Sequence, residues 1–256
     1  MKTFIDISYQ ENAISAQKLD LYIPDCDSFP VFIYFHGGGL VYGDKADQSQ
    51  DFKQLASVGI AVASVNYRMY PNARFPDYLN DAAKAVRWVF DNIGSYGHAR
   101  AIFVGGSSAG GYISQMICFD KRYLKKVGLK PTDVTAYVHD AGQPTTHFNI
   151  LKKERALNEN RVIVDEAAPL YHVGEDEKYS PMLLIVSDGD MANRYEQTML
   201  LKSALANFGH TDDTVTLKVM HGGHCHYLNT QAPDGRRAFG AIVEEYVNKI
   251  LDKRGI

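Results

Sequence analysis

The sequence predicts an α/β fold, a mostly parallel central sheet flanked by helices. Three observations carry that prediction. Short continuous apolar runs rich in β-formers recur along the chain, stretches with three- and four-residue apolar spacing separate them, and the two kinds alternate from about residue 30 to the C-terminus.

The N-terminal third reads as strands. From Ala16 to Ile23, Leu19, Leu21 and Ile23 alternate with Lys18, Asp20 and Tyr22, as in a strand with one wet face. Val31-Phe32-Ile33-Tyr34-Phe35 is apolar throughout and stops at His36-Gly37-Gly38-Gly39, which predicts a central strand covered on both faces. A helix is expected from about Gln48 to Ser57, then a second buried strand over Ile60–Val65. From Tyr78 to Ile93, the residues Leu79, Ala82, Ala83, Val86, Val89, Phe90 and Ile93 share one helical face. Asp77, behind Pro76, suits its N-cap or first turn. Ala101–Val104 is a short buried strand, and Ala109–Phe119 a helix. Strands over Val134–Val138, Met182–Val186 and Thr214–Met220, and helices over Tyr195–Phe208 and Arg237–Leu251, complete the series. The stretch 145–179 breaks the rhythm. It is polar, poorly periodic and longer than an ordinary connection, so it is either a surface excursion or a small cap over a site.

Composition narrows the classes. The chain has 256 residues, 45% hydrophobic and 22% charged, enough apolar material for one sizeable core. No linker, charge run or repeat divides it, so residues 1–256 are expected to form a single domain. The formal net charge is -3, with basic and acidic residues interspersed, which argues against nucleic acid as a partner. The largest basic cluster, Lys121-Arg122 with Lys125-Lys126, reads as a solvated helix end. No window is apolar enough for a membrane span, and Met1–Ile7 lacks the apolar stretch of a signal peptide. Three widely spaced cysteines (Cys26, Cys118, Cys225) offer no disulfide framework, so a cytoplasmic location is expected.

The chemistry is concentrated in two glycine-rich turns. In Gly105-Gly106-Ser107-Ser108-Ala109-Gly110-Gly111 a strand runs through a tight turn straight into a helix. Such a turn exposes the Ser108 hydroxyl at a helix N-terminus, where unpaired N–H groups favour a developing negative charge. Ser108 is therefore the expected nucleophile. A phosphate cradle would need a Walker-type lysine, which is absent. The second turn, His36-Gly37-Gly38-Gly39, follows a buried strand, where its backbone can present N–H groups to an oxyanion. Gly37 and Gly38 are the expected donors, with the Ala109 N–H as partner.

Taken together, Leu19-Asp20-Leu21-Tyr22-Ile23-Pro24, His36–Gly39, Asn66-Tyr67-Arg68, Phe75-Pro76, Asp81 with Trp88, and Gly106–Gly111 stand in one order along nearly the whole chain. In that order they resemble the α/β-hydrolase superfamily, specifically its His-Gly-Gly-Gly esterase/lipase group, including hormone-sensitive-lipase-like carboxylesterases. They are also similar to small esterases active on feruloyl or acetyl esters. The resemblance implies an acid after a late strand and then a histidine. Asp188 and Asp190 both follow Met182–Val186. The family pattern of glycine, two residues and aspartate points to Asp190, although Ser187 stands where the glycine would be. The other aspartate reads as a turn residue. The loop after the next strand is His221-Gly222-Gly223-His224-Cys225-His226, and the family's Gly-His pair maps onto Gly223-His224. His224 is then the base, with His221 and His226 as bystanders. Three histidines in six residues could also suggest a metal, but no carboxylate or cysteine signature completes the set, so no metal or cofactor is expected. Cys225 reads as a small packed residue. His139-Asp140 either lines the pocket or forms a structural turn, and Asp44 and Arg68 are expected to pair and brace the oxyanion loop.

The implied activity is hydrolysis of small or short-acyl carboxylic esters, aromatic or sugar-linked ones included. His-Gly-Gly-Gly begins at residue 36, which leaves no room for the N-terminal helical cap common in hormone-sensitive-lipase-like enzymes, so at most 145–179 is expected to act as a lid. A kynurenine-formamidase-like amidase would use the same triad, and a hydrolase-derived binding protein would normally lack one of its members. A small-molecule ester is the expected partner, and the fold leaves room for a homodimer.

Overall fold

Residues 1–174 and 178–256 are described in the computed structural model. Eight strands form one sheet in the order β1-β2-β4-β3-β5-β6-β7-β8. They are β1 (Lys2–Ser8), β2 (Lys18–Ile23), β3 (Ser28–Phe35), β4 (Ala61–Val65), β5 (His98–Ser107), β6 (Ala136–Asp140), β7 (Met182–Gly189) and β8 (Val215–Gly223). β1, β2 and β4 pair antiparallel in succession, and every other neighbouring pair is parallel. The helices are α1 (Ser49–Ser57), α2 (Asp77–Asn92), α3 (Ala109–Phe119), α4 (Arg122–Lys126), α5 (Arg194–Asn207) and α6 (Ala238–Arg254). This is the α/β architecture expected of an α/β-hydrolase.

The two-residue period of a strand divides the core between the faces. In β3, Val31, Ile33 and Phe35 face one layer with α2, α3 and α5, while Phe32 and Tyr34 face the other with Phe52 of α1 and Phe239 of α6. Both faces are covered, so β3 from Phe29 to Phe35 and β4 are buried throughout, and the one buried polar side chain, Ser64, donates to the Lys45 carbonyl at 2.7 Å.

The structure departs from the sequence reading at the margins. β1 was not singled out; six of its seven residues are exposed, so no buried face imposes a pattern. β5 begins at His98 because polar residues at the rim of the sheet still pair with Ser28 and Phe29 of β3. Pro76 holds the N-cap of α2 and Asp77 is its first residue.

Arg68 does not pair with Asp44. Its Nε and Nη2 donate to Asp81 of α2 at 2.7 and 2.9 Å, its backbone N–H to the same carboxylate at 3.1 Å, and Gln17 Nε2 adds a bond of 3.0 Å. Asp44 instead accepts from Asn66 Nδ2 at 2.8 Å. Asp81 lies wholly inside, and Asn66, two residues upstream of Arg68, orders the Asp44–Lys45 loop, so the Arg68–Asp81 pair ties α2 to the segment that supports His36–Gly39. Removing one partner of a buried pair leaves the other uncompensated, at a cost of about 3–5 kcal/mol. Asp81→Ala is therefore expected to lower Tm by roughly 6–15 °C in calorimetry; a fall of under about 2 °C would contradict this role.

The stretch 145–179 is tied to the body of the molecule. Thr145, Thr146, His147, Ile150, Leu151, Ala167 and Ala168 are buried, and Tyr112 of α3 donates to the Ala167 carbonyl at 2.7 Å. Residues 175–177 of this stretch fall outside the described residues. Among the described residues no helix is long and apolar enough to cross a membrane.

Candidate active site

The site lies where the parallel strands end at their carboxyl edge. β5 stops at Ser107 and α3 starts at Ala109, so Ser108 alone makes the turn, with φ 56 and ψ −112. A residue with a Cβ seldom adopts that conformation, and the strain is of order 1–3 kcal/mol. Packing enforces it. A Cβ at position 106 would stand 2.5 Å from the Phe35 carbonyl oxygen and 2.6 Å from the Gly110 carbonyl carbon, so only glycine lets α3 lie this close to β3.

Ser108 Oγ lies 2.7 Å from His224 Nε2, and His224 Nδ1 lies 2.6 Å from Asp190 Oδ1. The three side chains come from the ends of β5, β8 and β7. Asp190 is fully shielded from solvent on its side chain, whereas His224 is 23% exposed. Burial alone would raise the Asp190 carboxyl. The hydrogen bond and charge of His224, the Met191 N–H and the Arg194 charge outweigh it and hold the group below its usual value. The carboxylate is thus ionised and aimed at the histidine, which can accept a proton from Ser108 and remain charge-balanced.

Asp188 makes a second, very similar pair. It binds His221 Nδ1 at 2.6 Å and the Gly222 N–H at 3.0 Å, but His221 is 96% exposed and the pair faces solvent. The loop histidines therefore diverge toward separate carboxylates, and among the described residues no cluster of three metal-ligating side chains forms.

The N–H groups of Gly37, Gly38 and Ala109 take no acceptor among the described residues. A Cβ built on Gly37 would sit 3.4 Å from Ser108 Cβ, so this loop borders Ser108. Gly38 has φ 104, and a Cβ there would collide with the Tyr42 carbonyl. The loop is braced from beneath by Tyr67, which stacks on His36 with centroids 4.4 Å apart and donates to the His36 carbonyl at 2.8 Å. It is also held from above by Asn149, whose Nδ2 donates to the Gly39 carbonyl at 2.7 Å. Sequence reasoning did not find Asn149, because a single side-chain bond to a distant backbone leaves no periodic trace.

His139 and Asp140 are wholly buried at the end of β6 rather than exposed in the pocket. Asp140 accepts from the Ser107 and Tyr227 hydroxyls, and its carbonyl accepts from the Ser108 N–H at 2.8 Å. Burial is the largest influence on its carboxyl and raises it to about 6. Burial likewise lowers His139 to about 3, leaving a neutral ring whose Nδ1 meets Ser114 Oγ at 2.9 Å. These groups fix the backbone behind the elbow. Cys225 is a half-buried free thiol whose Sγ lies 3.7 Å from His224 Nε2, and burial raises it well above its ordinary value.

Comparison with known proteins agrees with this architecture. The prolyl oligopeptidase family model matches residues 75–250, and the BD-FAE model matches residues 19–129. A probable carboxylic ester hydrolase, LipM of Mycobacterium tuberculosis, is 29% identical over 67% of this chain and 44% of its own length. A probable isoprenylcysteine alpha-carbonyl methylesterase, ICMEL2 of Arabidopsis thaliana, is 36% identical over 43% of this chain and 27% of its own. This chain thus spans less than half the length of either relative. The solved structure of esterase B from Lactobacillus rhamnosus superposes with a TM-score of 0.80 at 19% identity, covering 99% of this chain and 87% of that one. With a family model matched from residue 75 to residue 250, the chain belongs to the prolyl oligopeptidase family and to the α/β-hydrolase superfamily.

Proposed function

We propose that this protein is a serine hydrolase that cleaves small or short-acyl carboxylic esters through Ser108, His224 and Asp190. The observation that carries the reading is the unbroken chain of short contacts, 2.7 Å from Ser108 to His224 and 2.6 Å from His224 to Asp190, at a strained elbow.

The steps follow from the geometry. His224 Nε2 takes the Ser108 proton as Oγ forms a bond to the ester carbonyl carbon, and the resulting imidazolium is held by ionised Asp190. The carbonyl oxygen gains negative charge beside the open N–H groups of Gly37, Gly38 and Ala109. The tetrahedral centre collapses as the C–O bond to the alcohol breaks, and Nε2–H gives the leaving oxygen its proton. Water then attacks the acyl-Ser108 ester with His224 again as base, releasing the acid and restoring the serine. No step calls on a metal or cofactor.

The prolyl oligopeptidase match favours a second reading, amide or formamide cleavage by the same residues. A panel of p-nitrophenyl esters and aryl formamides separates the two. Rapid turnover of acetyl to butyryl esters with slow formamide cleavage is expected; the reverse order would overturn the ester reading. A fluorophosphonate probe is expected to label the protein at Ser108, and absence of labelling in folded protein would overturn both.

A further inference from the structure

A cavity of about 230 Å³ opens between the 145–162 stretch and the turn that leads from Asp190 into α5. Its inner wall holds Arg194, only 3% exposed. A guanidinium has five N–H donors and a permanent charge. Among the described residues its oxygen acceptors are the Ala141 carbonyl and Gln143 Oε1 at 3.2 Å, both neutral. Asp190, the nearest acid in sequence, is already engaged by His224 and by the Met191 N–H at 2.7 Å. No carboxylate among the described residues lies within ion-pair distance of Arg194; burial, the largest influence, disfavours its charge, and the Asp190 charge offsets that only in part. Taking a cation out of water without a carboxylate in direct contact is costly, so such a group is either a structural brace or a waiting ligand partner.

The rest of the cavity favours the second role. Arg161 stands exposed at its rim. Glu159, the acid in the lining, is neutralised by Lys152 at 2.6 Å. The open charge is therefore positive. The volume equals roughly seven or eight waters at ~30 Å³ each, room for a short arm but not a long acyl chain. Phe148 in the wall adjoins Asn149, which holds the Gly39 carbonyl, and Met191 adjoins Asp190, so the cavity is walled by the segments that carry two groups of the proposed site.

We infer that the cavity is an anion subsite, and that the preferred esters carry a second, free carboxylate which pairs with Arg194. The inference rests on the ester-hydrolase reading for its substrate but not for its binding site. One guanidinium matches one carboxylate as a planar fork, and the small cavity limits the arm to a few carbons. The carboxylate could belong to the acid or to the alcohol part of the ester, and paired substrates distinguish the two.

On the acid side, p-nitrophenyl hemisuccinate is compared with p-nitrophenyl succinamate; on the alcohol side, 4-acetoxybutanoate is compared with 4-acetoxybutanamide. At least one anionic ester is expected to exceed its neutral isostere ~10–100-fold in kcat/KM, mostly through KM, as for a charge-assisted pair. Arg194→Gln is expected to bring that ratio below about 3. Equal loss on both members of a pair would make Arg194 a brace and overturn the inference. So would the absence of preference in both wild-type pairs, whatever the variant does. Ala192→Glu, at the exposed rim of the same cavity, leaves the Arg194 bonds in place and is expected to cut the ratio at least fivefold. An unchanged ratio in that variant would also count against the subsite. Calorimetric titration reads the cavity without turnover: wild-type protein should bind succinate and not succinamide. Succinate binding with inert esters would defeat the ester reading and keep the subsite, whereas ester turnover without preference or succinate binding would do the opposite.

Discussion

Replacing Ser108 by alanine is expected to lower kcat for every ester by ~10⁴–10⁶, equivalent to about 5–8 kcal/mol of lost transition-state stabilisation. Without Oγ no acyl-enzyme forms, and only the oxyanion donors and binding remain to assist water. The change should leave KM within a few-fold and abolish fluorophosphonate labelling. Stability should scarcely move, because the strain at this position belongs to the backbone and its Cβ, both of which alanine keeps. Ser108→Gly makes the separation sharper. Relief of strain of order 1–3 kcal/mol exceeds the ~0.5–1 kcal/mol entropic cost of glycine, so this inactive variant should unfold at a higher temperature than wild type. Residual ester turnover above a few percent in either variant would place the nucleophile elsewhere.

That outcome bears on how the sequence encodes the site. The elbow at Ser108 was legible because its unusual backbone demands Gly106 and an abrupt strand-to-helix change that the sequence displays. β3, β4 and β7 were legible because strands covered on both faces carry nearly continuous apolar runs, Val31–Phe35, Ala61–Ala63 and Met182–Val186. β1 was not, since an exposed edge strand carries no burial signal. The partner of Arg68 was misjudged for a different reason. Any acid can satisfy a guanidinium, and only the fold decides that Asp81, on one turn of α2, meets it while Asp44 turns to Asn66. Arg194 and Asn149 were silent too. Their contacts are single bonds to backbone or amide oxygens, which impose no spacing on neighbouring residues.

The acid tests the point most severely, because the molecule contains two Asp–His pairs of equal length. Parallel pairing of β7 with β8 sets their C-terminal ends side by side, so Asp188 meets His221 within the strand ends just as Asp190 meets His224 beyond them, each at 2.6 Å. Spacing alone cannot choose between pairs offset by 33 and 34 residues, and proximity in the fold does not choose either. Burial and the third partner do. Asp190 has no exposed side-chain surface and its histidine reaches Ser108, whereas the Asp188 pair stands in water, where an ion pair contributes little. Asp190→Ala should therefore lower kcat by ~10³–10⁴, since His224 loses both its tautomer and the charge that balances its protonated form. Asp188→Ala should change kcat less than about threefold. A kcat loss in Asp188→Ala matching that of Asp190→Ala would mean that the exposed pair, not the buried one, communicates with the serine.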